Sequence, residues 1–392
     1  MIPFANFSFF GLMLYAVIPT VLLGIAGRAG RRWALCITLL YLCVQYGDRL
    51  HVTSYFSVPN LLIVGVYALF ECLIAILFLR ARLQSKSNPQ FLVAFLLALG
   101  PLAAVKFLPI TFPGFEFGFL GISYITFRIL DVLFCVQDGV IKSLPATELF
   151  TYLFFFPTIS AGPIDRYRRF DVDWRSQRSW EDFLIDLDAA LERMFRGFLY
   201  KFILAALIKR FWVDQANGES FGEIVSYMYS YSLYLFFDFA GYSAFAIAFS
   251  RLFGIRTPEN FDRPFLAHNI RDFWNRWHIT LSFWFRDHVY MRFLLAAIKG
   301  KWFKNDQIGS YLGFFVSFGL MGLWHGTALH YLIYGCYHAC LFTAHDLFSR
   351  WNKKRGWWGT GPVWRVASIF VTANLVCFGF LIFSGRLSAH LE

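Results

Sequence analysis

Long apolar runs alternate with short basic connections along this chain. Runs near residues 4–26, 58–79, 91–109, 117–136, 223–250 and 363–384 each approach the ~20 apolar residues that a helix needs to cross a bilayer. They are predicted as membrane spans. Residues 33–47 form a shorter apolar run, and residues 309–348 are long enough for two spans. Residues 183–213 mix acidic, basic and apolar positions, which predicts a helix that starts at the interface and then dips inward. Between Lys142 and Arg166 stands "LPATELFTYLFFFPTISAGP", interrupted by Pro157, Gly162 and Pro163. With basic residues on both sides, it predicts a re-entrant segment. Broken backbone at membrane depth needs protein or a water cavity to shelter it. Residues 263–304 alternate Arg and His with Trp and Phe, a pattern suited to short helices at the cytoplasmic interface. They are expected to dip inward at "NRWHITLSFW".

Composition agrees with a membrane protein. Of 392 residues, 58% are hydrophobic and only 16% are charged, against roughly a quarter charged in soluble domains. The net charge of +11 lies in short loops, where it sets orientation rather than signalling nucleic acid. The clusters Arg28/Arg31/Arg32, Arg80/Arg82/Lys86 and Lys353/Lys354/Arg355 are placed in the cytoplasm, with both termini outside. The first run lacks a basic flank and a small-residue cleavage site, so it is read as a retained span. Seven cysteines, an odd number scattered mostly in apolar runs, do not suggest a disulfide framework.

Against this apolar background a few polar residues stand out. "MGLWHGTALHYLIYGCYHACLF", residues 321–342, carries His325, His330 and His338. An imidazole in hydrocarbon is costly unless something uses or satisfies it. His325 has a glycine next to it and another three residues before, which permits close backbone approach or a break. His278 lies between tryptophans in "NRWHITLSFW". Asp238 is a lone carboxylate with Tyr234 and Tyr242 one turn away on either side. Arg128 and Asp131, three apart, are expected to neutralise each other, and Glu71 has no evident local partner. The series His325, His330, Cys336, His338, Cys340, His345 lacks the His-Glu-x-x-His spacing, and no metal is expected. No phosphate-binding glycine loop occurs.

Together, "DFWNRWHITLSFWFRDHVY", "MGLWHGTALHYLIYGCYHA", "FFPTISAGPIDRYRRF" and "NFDRPFLAHNIRDFW" resemble the membrane-bound O-acyltransferase family, and within it the D-alanyl transfer branch that modifies teichoic acids. The resemblance implies an all-α, polytopic fold, a single domain over residues 1–392. It would be a ring of about 10–11 transmembrane helices with re-entrant and interfacial helices around a central tunnel. It implies transfer of D-alanine from the phosphopantetheine thioester of an acidic carrier protein to a hydroxyl outside, on lipoteichoic acid or an intermediary protein, at a bacterial plasma membrane.

On that reading, His325 is the catalytic base, because burial keeps an imidazole neutral and able to accept a proton. His278 would orient the acceptor or donate to the oxyanion. Asp238, Tyr234, Trp324, Trp277 and Asn275 would line the substrate passage. No permanently bound cofactor is implied, since the thioester is already activated. Leu294, Leu295 and Ile298 beside Arg292, Lys299, Lys301 and Lys304 offer an apolar patch with a basic rim for the carrier. The same segment also suits a helix resting on anionic lipid. Two other enzyme and non-enzyme readings stay open: an O-acetyltransferase acting on another extracytoplasmic polysaccharide, and a proton-coupled transporter using the same ionisable residues. A scaffold gathering cell-wall enzymes is a further alternative.

Overall fold

A computed structural model describes residues 3–27, 31–47, 49–53, 56–85, 88–112 and 118–388. Arg28 and Lys86 of the basic clusters lie outside them. The described residues are helical except for loops and one antiparallel hairpin, β1 (Arg49–Thr53) and β2 (Phe56–Pro59). Two compact units emerge: residues 1–197 with 242–258, and residues 198–241 with 259–392.

The first unit contains α1 (Phe7–Ile25), α2 (Arg31–Gln45), α3 (Asn60–Gln84), α4 (Asn88–Thr111), α5 (Ile122–Gln137), α6 (Ala146–Phe154), α7 (Tyr167–Arg175) and α8 (Trp180–Gly197). Asn6 caps α1 by accepting from the Phe9 amide at 3.1 Å, as its short polar side chain favours. Leu14, Ile18 and Leu22 of α1 and Val66, Leu69 and Leu73 of α3 are exposed. Bare apolar stripes of this extent call for lipid contact.

The broken segment after α5 is built around one buried cation. Helix α6 stops at Phe154, and a short 3-10 turn follows at Phe156–Thr158. The carbonyls freed by that break are taken by Arg128, only 1% exposed. Its guanidinium donates to Tyr152 O (3.2 Å), Leu153 O (3.0 Å), Thr158 O (2.6 Å) and Thr158 Oγ1 (2.5 Å). A planar five-donor fork suits several carbonyls at once. Asp131, expected to neutralise Arg128, is ion-paired with Arg166 instead. Spacing along one helix brought the two near, but the four oxygens of the broken segment are the better geometric match.

The second unit begins with a π-helical stretch, Phe198–Ala205, and α9 (Ala206–Phe211). Helix α10 (Phe221–Leu252) follows, its last turns belonging to the first unit. Then come the short helices α11 (Ile270–Trp274), α12 (Ile279–Phe285) and α13 (Met291–Lys299), and the long helices α14 (Asp306–His325), α15 (Leu329–Arg355) and α16 (Pro362–Phe383). As predicted, residues 309–348 form two helices with the Trp-His-Gly motif at the junction. These two approach closely because small residues face one another. A Cβ at Gly335 would lie 2.9 Å from the Phe318 carbonyl carbon, and closer still to its oxygen.

Helices α1, α3, α4, α10, α14 and α16 are each long and apolar enough to cross a membrane. The protein is a multi-pass membrane protein.

Candidate active site

His325 is the last residue of α14. Gly326 adopts an extended backbone and ends the helix, its amide still bonded to Gly322 O at 3.3 Å. The imidazole is half-buried in an aromatic box. It meets Phe383 edge-on, with ring centroids 4.9 Å apart, and lies 4.5 Å from Trp324, 6.2 Å from Tyr331 and 6.4 Å from Tyr334.

His278 is held by backbone pairing between two loops. Phe261 and Trp277 form an antiparallel bridge, the Asp262 amide donates to Arg276 O (2.9 Å), and the Ile279 amide donates to Asn260 O (3.0 Å). The Asn260 side chain accepts from the Thr280 hydroxyl at 2.9 Å. Between these anchors His278 takes φ 42°, ψ 51°, a left-handed conformation that non-glycine residues rarely adopt. Such strain persists only where surrounding contacts over-determine it. The ring packs edge-on against Phe239 at 4.8 Å and is 4% exposed, and its Nε2 has no hydrogen-bond partner among the described residues. Burial, helped by the nearby His325, pushes its pKa down from 6.5 to about 3. His278 is therefore neutral, and the structure brings together the two histidines that the sequence singled out.

Two clefts in the same unit approach this pair. One, of about 370 Å³, is lined by Trp274, Asn275, Ser282, Arg286, Tyr290 and Met321, among others. Met321 lies one turn before His325, about 6 Å along the helix axis. The Ser282 hydroxyl donates to the His278 carbonyl at 3.1 Å. The other, of about 430 Å³, is lined by Asn217, Glu219, Tyr227, Ser384 and Arg386 among others. It starts immediately after Phe383, the residue against which His325 packs.

The remaining sequence candidates have distinct surroundings. Asn275 is exposed on the first cleft. Trp277 is buried, packed on Phe261, Phe273 and Phe380. Trp324 is half-buried beside His325. Asp238 is ion-paired with Lys201 at 2.5 Å, and Tyr234 is half-buried one turn away on α10. Tyr242 belongs to the first unit, hydrogen-bonded to Ser160. On α13, Leu295 and Ile298 are exposed together with Met291. Lys299 and Lys301 are exposed, while Leu294 and Arg292 are half-buried.

Sequence reasoning missed His338 as part of this neighbourhood. It is fully buried, and its Nδ1 accepts from Trp274 Nε1 at 3.3 Å, so the proton of the neutral ring is on Nε2. Tyr334 packs between it and His325, with centroids 4.6 and 6.4 Å away. The available signal was helical spacing on α15, where Tyr334 is four before His338.

The sequence profile of the membrane-bound O-acyltransferase family matches residues 134–384. The chain belongs to the membrane-bound O-acyltransferase family. Among its relatives, the teichoic acid D-alanyltransferase of Bacillus subtilis is 39% identical over the full length of both chains. That of Lacticaseibacillus rhamnosus is 38% identical over 98% of this chain and 97% of the relative. A probable alginate O-acetylase of Pseudomonas aeruginosa is 33% identical over 56% of this chain and 41% of its own length. This family member is an integral-membrane acyltransferase, which sets the transporter reading aside. The two histidines and both clefts fall within the second unit.

Proposed function

We propose that this acyltransferase moves D-alanine from a carrier-protein thioester on the cytoplasmic side to a hydroxyl on the outer side, leading to D-alanylation of teichoic or lipoteichoic acid. The observation that carries this reading is a pair of neighbouring imidazoles, one fully buried and neutral, with one cleft lined by Met321, a turn before His325, and another lined by Ser384, next to Phe383. The identity to D-alanyltransferases over nearly the full length of both chains favours D-alanine as the acyl group.

In this reading the carrier docks on the exposed face of α13, with Leu295 and Ile298 at its centre and Lys299 and Lys301 on its rim. Its phosphopantetheine arm, a co-substrate, enters through the cleft bordered by Arg286, Tyr290 and Asn275. The acceptor hydroxyl arrives from the cleft beside Ser384 and Arg386. His325 removes the hydroxyl proton as the oxygen attacks the thioester carbon. The C–O bond forms, the C–S bond breaks, and the imidazolium returns the proton to the departing thiolate. A base so positioned supplies ~10²–10⁴-fold in rate. Neutral His278, carrying its proton on the unpartnered Nε2, donates to the developing oxyanion, a contribution of ~10²–10³-fold. The site invokes no metal or resident cofactor. The immediate acceptor is a polymer hydroxyl or an intermediary protein of the same system.

An acetyl donor is the second reading, favoured by the 33% identity to an alginate O-acetylase, though that match covers only about half of this chain. The two are separated with purified protein in liposomes, offered either D-alanyl carrier protein or an acetyl donor. Transfer from the D-alanyl carrier is expected, and transfer from the acetyl donor alone would overturn the proposal.

A further inference from the structure

Away from the histidines, α11, α15 and α16 enclose a groove of about 690 Å³. It runs from Leu341 to Lys353 on α15, twelve residues or about 18 Å. That is close to one leaflet of a hydrocarbon core ~30 Å thick. Its chemistry changes along that length. The inner stretch is mostly apolar, walled by Leu341, Ala344, Phe348, Val371 and Leu375, with His345 and Thr372 among them. The other end is polar, with Lys353, His268, Ser349, Asn352 and Thr360.

This polar end is a built structure. The Asn352 side chain donates to Trp358 O (2.8 Å) and accepts from the Trp358 amide (2.7 Å), while Trp358 Nε1 donates to Ser368 Oγ (2.9 Å). Trp351 and Trp357 stand exposed beside it, as indoles do at a membrane–water boundary. The charge there is uncompensated. Lys353 has no ion-pair partner among the described residues, and Lys354 and Arg355 follow it. The nearest helical carboxylate, Asp346, is already held by Arg271 (2.9 Å), Arg350 (2.7 Å) and Tyr311 (2.9 Å).

An apolar slot one leaflet deep, ending in an unpaired ammonium at the basic face of the membrane, complements one kind of molecule. We propose that this groove binds an anionic phospholipid of the cytoplasmic leaflet, its phosphodiester against Lys353 and His268 and one acyl chain along the α15–α16 wall. The site is independent of the acyl-transfer chemistry.

The test is native mass spectrometry of the intact protein in a neutral detergent, titrated with phosphatidylglycerol, phosphatidylcholine or glycerol phosphate. One phosphatidylglycerol should bind at least about fivefold more tightly than phosphatidylcholine, as expected for one added cationic contact. Lys353→Gln should erase that preference. Ala344→Trp, which fills the apolar stretch, should expel the bound lipid. Lys354→Gln, outside the groove, should behave as the unaltered protein, and glycerol phosphate should not compete. Equal binding of the two lipids would overturn the proposal. So would wild-type binding by both groove variants, an equal loss in Lys354→Gln, or displacement by glycerol phosphate.

Discussion

Replacing Gly335 with alanine should separate α14 from α15 and move His325. The added Cβ would sit 2.9 Å from the Phe318 carbonyl carbon and 3.3 Å from the Gly319 Cα. Both neighbours are backbone, so neither can rotate away. Restoring ordinary contact requires the helices to part by about 1 Å, because a packed interface has no slack to absorb the methyl group. Phe318 lies seven residues before His325 on the same helix, about 10 Å away, so the shift reaches the imidazole with little loss. A displacement of about 1 Å at a reacting group costs on the order of 10²-fold in rate. The assay is single-turnover acyl transfer in liposomes, with kcat and KM separated and detergent gel filtration confirming a folded protein. Gly319→Ala is the control: it lies on α14 too, but a Cβ there meets nothing within 4 Å. A folded Gly335→Ala protein with unchanged kcat would refute the link between this helix contact and the position of His325.

Other outcomes follow from the same geometry. Arg128→Met leaves buried carbonyls of Tyr152, Leu153 and Thr158 without donors, at ~1–3 kcal/mol each; thermal unfolding in detergent should show a loss of at least about 3 kcal/mol, and Arg128→Lys should recover little of it. Because His278 is held at a pKa of about 3 against an ordinary 6.5, the unfolded chain binds the extra proton between those values. Stability is then complete above pH 6.5 and falls as pH drops toward 3, by up to about 1.4 kcal/mol per pH unit. His278→Gln should remove that slope, and a wild-type unfolding midpoint flat from pH 6.5 to 4 would contradict the burial argument. Leu295→Asp should weaken carrier binding at least about tenfold, by placing a charge in an apolar contact facing an acidic partner, while membrane insertion is retained; unchanged affinity in a pull-down or titration would refute the docking face.

Hydropathy read most of the framework, because a bilayer imposes a length on every span. The run 117–136 is the exception: its helix α5 has only 16 residues and is not among those long enough to cross. The hairpin at "GLWHG", the break after α6 and the short helices of residues 263–304 were legible for the same reason: glycine, proline and charge interrupt apolar runs. Long-range partners were not legible. Lys201 reaches Asp238 from 37 residues away, and Arg128 finds its carbonyls 24 to 30 residues on, distances at which helical spacing says nothing. His278 was singled out by its tryptophans, but its left-handed backbone depends on pairing with Asn260 and Asp262 across a loop. His338 is tied in by Trp274, 64 residues earlier, which donates to it.

The most direct measurement compares wild type with His325→Ala in single-turnover transfer from a D-alanyl carrier protein, with carrier affinity measured in parallel. The predicted result is unaltered carrier binding and a transfer rate lower by ~10²–10⁴-fold. A folded His325→Ala protein that still transfers D-alanine at the wild-type rate would contradict the assignment of this imidazole as the base.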